Sequence, residues 1–279
     1  MRAWRARPLL VGLLAAVATA FGGTSVPAAT AAPNDDAMTP FVIGGRDATV
    51  NYGSMASLQD RRYSGHMCGA TLIARNWAVT AAHCLHEGSD KSKVLNPAGW
   101  QIRVNTHDSS RGGEVLPAAQ FILHPEYTRT QRLWHDIALI RLSRSATTIP
   151  ATIAAEAGPA GTATRILGWG TTCPDPRRQG PRCFPDTLQE LDTSILPDSR
   201  CEFINEGSEI CTDSPGRNSG VCYGDSGGPQ VKKVAGQWQL IGVASHLATS
   251  RTSTCGIYPS AYVNVPVHRS WIEQHTGRL

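Results

Sequence analysis

The chain has 279 residues, of which 41% are apolar and 17% are charged, and its formal net charge is +4 at pH 7. This length and apolar content suffice for one large packed unit or for two modest halves. Residues 1–41 carry a net charge of +1, so the remaining residues carry only +3. Such a small charge argues against nucleic acid as a partner, because nucleic-acid-binding domains are usually strongly basic.

The chain begins with a segment typical of secreted precursors. Residues 1–7 are basic, residues 8–21 are nearly all apolar, and Ala29-Thr30-Ala31 matches an A-x-A cleavage site. The apolar run is short for a spanning helix, which needs about 20 residues. We therefore expect residues 1–31 to be a signal peptide, with an uncleaved membrane anchor as the alternative. The mature protein is then expected to be secreted, extracellular and free of the membrane.

After residue 41 the apolar runs are short and rich in β-branched residues, and Gly, Pro, Asn and Asp separate them. Short strands with frequent turns are typical of an all-β sandwich or barrel. Two stretches are predicted to be helical, a turn after residues 81–84 and the last segment, residues 267–274. The predicted strands are residues 71–73, 77–80, 100–104, 121–123, 137–142, 163–167, 188–195, 237–244 and 261–265.

The chain contains eight cysteines, an even number that indicates four disulfides in an oxidising compartment. No Cys-x-x-Cys pair occurs, so we predict no metal site. The loop of residues 171–187 is rich in Pro, Arg and Gly and contains Cys173 and Cys183. A bridge between these two cysteines would stiffen an exposed loop.

One glycine-rich segment is suited to hold a nucleophile. Residues 224–229 read Gly-Asp-Ser-Gly-Gly-Pro. Glycines permit sharp turns and let a substrate carbonyl approach main-chain N–H groups. Ser226 would be the nucleophile, and the N–H groups of Gly224 and Ser226 would form an oxyanion hole. Taken alone, a serine in such a segment is an ordinary turn residue at least as often.

A serine hydroxyl needs a base to remove its proton, and the chain offers a histidine and a carboxylate in suitable settings. His83 follows the predicted strand at residues 77–80, and Asp136 directly precedes the apolar run at residues 137–142. A carboxylate buried at that position needs a partner, which the imidazole of His83 would supply.

These three segments resemble the catalytic motifs of the chymotrypsin/trypsin family of serine endopeptidases. Residues 80–84 read Thr-Ala-Ala-His-Cys, residues 136–139 read Asp-Ile-Ala-Leu, and residues 224–229 complete the set. Their order of histidine, aspartate and serine is that of the family, whereas triads on unrelated folds have other orders. The resemblance spans residues 42–275.

The resemblance implies a role for each residue and an architecture. Ser226 would attack the scissile carbonyl, His83 would take its proton and return it to the leaving amine, and Asp136 would orient His83. The implied fold is all-β, with two six-stranded antiparallel β-barrels and a C-terminal helix. Residues 42–279 would form this peptidase domain, with the boundary between its halves near residues 150–162.

The resemblance also bears on the disulfides and on metals. It implies the three pairs Cys68–Cys84, Cys201–Cys211 and Cys222–Cys255. The fourth pair, Cys173–Cys183, then follows by elimination. Asp108 and Glu114 lie near the place where some relatives bind calcium, but a clear acidic pair is missing. We therefore expect no cofactor, and keep calcium as an alternative.

A short propeptide is implied as well. Residues 42–45, Val-Ile-Gly-Gly, resemble the N-terminus that cleavage frees in this family. The propeptide would be residues 32–41, and the ammonium of Val42 would pair with buried Asp225 and order the pocket. Phe41 stands where many relatives have a basic residue, so we expect the activating enzyme to cleave after an aromatic residue.

Four positions are predicted to shape the substrate pocket. Gly220 replaces the aspartate that binds basic side chains in trypsin-like relatives, so a buried Lys or Arg would lack a partner. Ser245 and Leu247 lie on one wall strand, where Leu247 replaces a glycine, and Ser260 lies on the opposite wall. We expect cleavage after small or medium apolar residues.

Two alternatives remain open from sequence. The first is a catalytically inactive binding homologue on the same fold, which the intact motifs disfavour. The second is an esterase that uses the same triad, since the triad also hydrolyses activated esters. The expected partners are protein or peptide substrates and a protein inhibitor, and the expected state is a monomer.

Overall fold

The computed structural model describes residues 42–63, 65–175, 183–216 and 218–279. These residues are mostly β-structure. The strands are β1 (Arg46–Asp47), β2 (Met55–Asp60), β3 (Gly65–Ala74), β4 (Trp77–Thr80), β5 (Trp100–Val104), β6 (Glu114–Leu123), β7 (Ala138–Leu142), β8 (Ala163–Gly168), β9 (Gln189–Ser194), β10 (Glu209–Thr212), β11 (Pro229–Val234), β12 (Gln237–Leu247) and β13 (Ser260–Asn264).

The first half is a closed barrel of six antiparallel strands in the order β2-β3-β4-β7-β6-β5. Its interior holds a large apolar cluster that includes Leu58, Leu72, Ile102, Leu116 and Leu139, each with no exposed surface. Closure leaves no free strand edge, so the short strands pair on both sides. The barrel thus gives a rigid frame for the residues at the ends of its strands.

The second half is a seven-stranded antiparallel sheet in the order β1-β9-β8-β11-β12-β13-β10. The all-β prediction with two β units is confirmed. The second unit has seven strands because the two-residue strand β1 pairs with β9 at its edge. Residues 143–162 connect the last barrel strand to β8.

Helices are few among the described residues. Helix α1 (Pro125–Arg129) follows β6, and helix α2 (Arg269–Thr276) lies near the C-terminus, as predicted. The predicted turn after β4 is a 3₁₀ helix, Ala82–Leu85. No helix in the described ranges combines the length and apolarity needed to span a membrane.

The four predicted disulfides are all present: Cys68–Cys84, Cys173–Cys183, Cys201–Cys211 and Cys222–Cys255. The first joins β3 to the 3₁₀ turn that contains His83, and the last joins the turn before Ser226 to residue 255. Both bridges therefore brace segments that carry predicted site residues. The predicted signal peptide and propeptide, residues 1–41 with Phe41, lie outside the described residues.

Candidate active site

His83 and Asp136 come together because their strands are neighbours. Strand β4 pairs with β7 so that Thr80 faces Ala138, which places the turn after β4 beside the residues before β7. Asp136 is fully buried, and its two carboxylate oxygens receive separate bonds from His83. His83 Nδ1 lies 2.6 Å from Oδ2, and the backbone N–H of His83 donates to Oδ1 at 2.8 Å.

A third group completes the surroundings of this carboxylate. The hydroxyl of Ser245, on β12 of the second sheet, donates to Asp136 Oδ2 at 2.6 Å. Burial alone would raise the pKa of Asp136, but the His83 charge and these hydrogen bonds outweigh it and hold that pKa below its usual range. Burial alone would lower the pKa of His83, yet the Asp136 carboxylate raises it above its usual value. The pair is therefore arranged to stabilise a protonated imidazole.

Ser226 lies on a tight turn that packs against the segment leading to His83. Its carbonyl accepts the N–H of Gly69 at 2.7 Å, which ties the turn to strand β3 of the barrel. Gly227 has φ of +79°, and a Cβ there would lie 2.2 Å from Thr80 Oγ1 and 3.1 Å from Ala81 N. A glycine is thus required for the serine turn to approach the chain just before His83.

Within the described residues, no hydrogen bond joins Ser226 Oγ to His83 Nε2. Such bonds are often long in enzymes without substrate and tighten only in the reacting complex. The fold brings the two segments together, and the direct contact between their side chains stays a prediction.

The predicted oxyanion donors belong to the same turn. Gly224 has φ of +95°, in the left-handed region that favours glycine. Among the described residues, the N–H groups of Gly224 and Ser226 donate to no protein acceptor. These free amides are available to an oxygen bound beside Ser226.

His66 holds this turn, although the sequence motifs gave no reason to select it. Its Nε2 lies 2.8 Å from the carbonyl oxygen of Gly224, and its Nδ1 lies 2.8 Å from Ser57 Oγ. Burial lowers the pKa of His66 to about 4, so its ring is neutral at pH 7. Since a carbonyl can only accept, Nε2 carries the proton and Nδ1 accepts from Ser57.

Asp225 is buried directly behind the nucleophile turn. Its Oδ1 accepts the N–H of Gly170 at 2.8 Å, and its Oδ2 accepts the N–H of Cys222 at 2.9 Å. Burial raises the pKa of Asp225 to about 7 despite these two bonds. Among the described residues, no cationic side chain forms an ion pair with this carboxyl, so a positive charge brought to it would be strongly stabilising.

Val42 and Ile43 are also buried, next to the same region. Val42 is fully buried in an apolar cluster with Val221, and Ile43 packs with the Cys222–Cys255 bridge. The carbonyl of Ile43 accepts the N–H of Gly220 at 2.8 Å. The segment that begins at Val42 is therefore packed against the chain leading to Asp225.

A cavity of about 180 Å³ opens beside Ser226. Two predicted pocket residues, Ser245 and Leu247, line it. Gly220 and Ser260 are not among its lining residues: Gly220 contacts Ile43, and Ser260 is buried where it pairs with Leu247 in the sheet. The described part of the lining contains no carboxylate and consists of Val221, Cys222, Tyr223, Ser226, Ala244, Ser245, His246, Leu247 and Cys255.

His246, in this lining, is paired with an acidic residue. Its Nε2 lies 3.2 Å from Glu209 Oε1, whose side chain is fully buried. Burial lowers the pKa of His246, but the bond to Glu209 and its charge outweigh burial and raise it. The sequence motifs gave no reason to select Glu209, which the pairing of β10 with β13 and of β13 with β12 brings near His246.

Asp108 and Glu114, near which calcium was kept as an alternative, are both engaged with arginines. Asp108 Oδ2 accepts from Arg111 at 2.6 Å, and Glu114 pairs with Arg144. The two carboxylates therefore do not form a common acidic site in the part of the chain that the structure describes.

Comparisons with known proteins agree with this geometry. The family model described as Trypsin matches residues 42–272. Trypsin alpha of Drosophila erecta is 34% identical over 275 residues, covering 94% of this chain and 96% of that protein. Neutrophil elastase of Mus musculus is 34% identical over 246 residues, covering 85% and 83%. The structure of neuropsin, a serine protease expressed in the limbic system of mouse brain, matches with a TM-score of 0.65 and 27% identity over 82% of this chain and 97% of that chain.

Proposed function

The chain belongs to the trypsin family of serine endopeptidases, and on that premise we propose that Ser226, His83 and Asp136 are its catalytic triad. The observation that carries the proposal is the double attachment of His83 to the buried carboxylate of Asp136. It fixes the imidazole with Nδ1 as the donor and leaves Nε2 as the proton acceptor. A base prepared in this way is what a serine hydroxyl needs to become a nucleophile.

The reaction then follows from the groups present. Ser226 Oγ attacks the scissile carbonyl while its proton passes to His83 Nε2, and Asp136 stabilises the imidazolium. The negative oxygen of the tetrahedral intermediate accepts from the free N–H groups of Gly224 and Ser226. His83 returns the proton to the leaving amine, and a water attacks the acyl-enzyme by the same steps in reverse.

We propose further that the chain is exported and made as a zymogen. Residues 1–31 would be removed as a signal peptide, and a cut between Phe41 and Val42 would free an ammonium. The raised pKa of Asp225 supports this step, because an uncut chain leaves that buried carboxyl without a cation. The buried positions of Val42 and Ile43 beside the Gly220 segment also support it.

The pocket supports a preference for apolar residues before the scissile bond. Its lining, among the described residues, contains no carboxylate, and the one histidine in that lining, His246, already has Glu209 as its partner. A buried Lys or Arg would therefore lose its hydration without gaining a partner. Leu247, on the cavity wall, leaves room for a small or medium side chain.

A single preparation tests these proposals. The mature N-terminus of the exported protein is determined, and a mixed peptide library is cleaved by wild type and by Ser226→Ala. We expect Val42 at the N-terminus, Ser226-dependent hydrolysis, and cleavage after small or medium apolar residues. Cleavage after Arg or Lys would contradict the pocket proposal alone, whereas hydrolysis retained by Ser226→Ala would contradict the triad.

A further inference from the structure

Three histidines from distant parts of the chain meet on the side of the barrel next to Asp136. His124 precedes helix α1, His135 immediately precedes Asp136, and His268 immediately precedes α2. The ring centroids are separated by 5.3 Å for His124 and His135, 5.1 Å for His124 and His268, and 5.6 Å for His135 and His268. Neither the proposed triad nor the pocket uses these rings.

The distances fit a shared metal ion. For three imidazoles on a tetrahedral zinc ion with Zn–N bonds of about 2.05 Å, simple geometry places the ring centroids about 5.2 Å apart and the ligand nitrogens about 3.3 Å apart. His135 Nδ1 lies 3.3 Å from His268 Nε2, so two of the three nitrogens already have this spacing.

The hydrogen bonds of His268 place its lone pair on the nitrogen that faces His135. Its Nδ1 lies 2.9 Å from the carbonyl oxygen of Asn264, and since a carbonyl only accepts, Nδ1 carries the proton. The lone pair of His268 is then on Nε2, where it accepts a hydrogen bond from His135 Nδ1, and a metal ion would displace that proton. A backbone carbonyl behind a coordinating histidine is the usual outer partner in metal sites.

His124 has to turn before it can join the other two. Among the described residues, three candidate ligand atoms lie within 4.8 Å of one another only at Cys68, His83 and Cys84, so His124 is not yet at ligand distance. That group is itself unavailable, because both cysteines are in a disulfide. Among the described residues, the His124 ring makes one hydrogen bond, 3.3 Å from Nδ1 to the N–H of Glu126, and packs edge-on against Trp271 with ring centroids 4.8 Å apart, so metal binding has to outweigh the loss of these two contacts.

We propose that His124, His135 and His268 form a binding site for a divalent transition-metal ion, best matched by Zn²⁺, with water in the fourth position. Imidazole suits zinc, and three histidines with an open position are a known donor set for it. His124 and His135 are partly exposed while His268 is buried, which gives the ion a path of entry.

One further observation agrees with this assignment. His135 adopts φ of +54°, a left-handed conformation that residues with a Cβ rarely adopt and that often marks a functional position.

The test measures zinc binding directly, on the Ser226→Ala protein so that no proteolysis interferes. Zinc is titrated in competition with a chromophoric chelator at pH 7.5, and Co²⁺ is used to record the visible absorption of a tetrahedral site. The ligand variants are His124→Gln and His268→Ala. The matched control is His107→Gln, another partly exposed histidine, which lies outside the cluster.

We expect the parent and His107→Gln to bind one zinc ion that both ligand variants lose, with apparent affinity falling at least about 100-fold, beyond the 10–100-fold typical of an outer partner. Cobalt should give the intense tetrahedral spectrum in the parent and the control only. His268 is buried, so His268→Ala could fail to fold. His124 is only partly buried, so His124→Gln still tests the proposal in that case. Equal zinc affinity in the parent and His124→Gln, or no binding by the parent at micromolar zinc, would overturn the proposal.

Discussion

At the scale of single residues, Asp136 is where the polar contacts of the site converge. Three donors, His83 Nδ1, the His83 backbone N–H and Ser245 Oγ, surround a carboxylate with no exposed surface. They come from both β units, so the geometry of the base depends on the barrel and the sheet together. Any change that removes the charge at residue 136 should therefore change the tautomer and the pKa of His83.

Asp136→Asn tests this dependence. We expect kcat to fall by about 10⁴-fold: an amide that still accepts the His83 N–H turns its NH2 group toward Nδ1, which imposes the wrong tautomer, and it has no charge to stabilise the imidazolium. In wild type the acid limb of kcat/KM should lie above pH 6.5, since Asp136 raises the pKa of His83 and the enzyme gains activity as His83 loses its proton. In Asp136→Asn the acid limb of kcat/KM should move to lower pH, because the charge that raises the pKa of His83 is gone. A loss of less than tenfold would contradict the assigned role.

His66→Ala tests the support of the oxyanion turn. The ring bonds to the carbonyl of Gly224, so its loss should let the turn move and lower kcat by about tenfold, less than the 10²–10³-fold cost of losing a donor itself. KM should change little, and His66→Gln should recover part of kcat because an amide can donate to the same carbonyl. A change confined to thermal stability would show that His66 is only structural.

The proposed catalytic residues can be selected from sequence because each lies in a short local motif. His66 cannot be selected in this way, because its partners Ser57 and Gly224 are set by strand pairing and by a turn far along the chain. The histidine cluster shows the same limit. His124, His135 and His268 share no spacing that would indicate a site, and they meet only once both halves have folded.

At the scale of elements, the strands that were predicted well are those with β-branched and apolar residues. Strands β4 and β5 have the predicted bounds. Strand β2, Met-Ala-Ser-Leu-Gln-Asp, was not predicted, because it lacks β-branched residues and carries polar side chains that are nevertheless buried. It is a strand because β3 and β5 pair with it on both sides, which sequence propensity does not report.

Gly168, the last residue of β8, offers a test at this scale. A Cβ there would lie 1.9 Å from Asp225 Oδ1, so Gly168→Ala has to displace a buried carboxylate. We expect the free energy of unfolding to fall by about 2 kcal/mol or more, the usual range for overpacking. Gly65→Ala is the control, a strand glycine with nothing within 4 Å of its Cβ. Both are measured by urea unfolding in a Ser226→Ala background, and equal effects would contradict the packing argument.

At the scale of the whole molecule, the proposed pairing of Val42 with Asp225 would link the state of the N-terminus to the stability of the fold. The pKa of Asp225 is raised from 3.8 to about 7, so the folded, uncut chain binds this proton more tightly than the unfolded chain does. The protonated Asp225 carboxyl therefore adds to the free energy of unfolding in full below about pH 4. This stabilisation is lost as the pH rises to about 7. An ammonium placed beside the carboxyl by cleavage would remove this loss.

The pH dependence of unfolding tests the link. Uncut Ser226→Ala protein should lose stability between about pH 4 and pH 7, and the same protein cut before Val42 should lose much less over that range. Asp225→Asn in the uncut chain should also flatten the curve, because it removes the titrating group. The same slope in the cut and uncut proteins would contradict the proposed pairing of Val42 with Asp225.

The most direct test of the central claim is covalent labelling of the nucleophile. The exported protein is treated with a serine-directed organophosphorus reagent, and mass spectrometry locates the modified peptide. We predict stoichiometric labelling on Ser226 in protein that begins at Val42, and none in His83→Ala or in the uncut chain. Protein that begins at Val42 and is labelled at another serine, or not at all, would contradict the account.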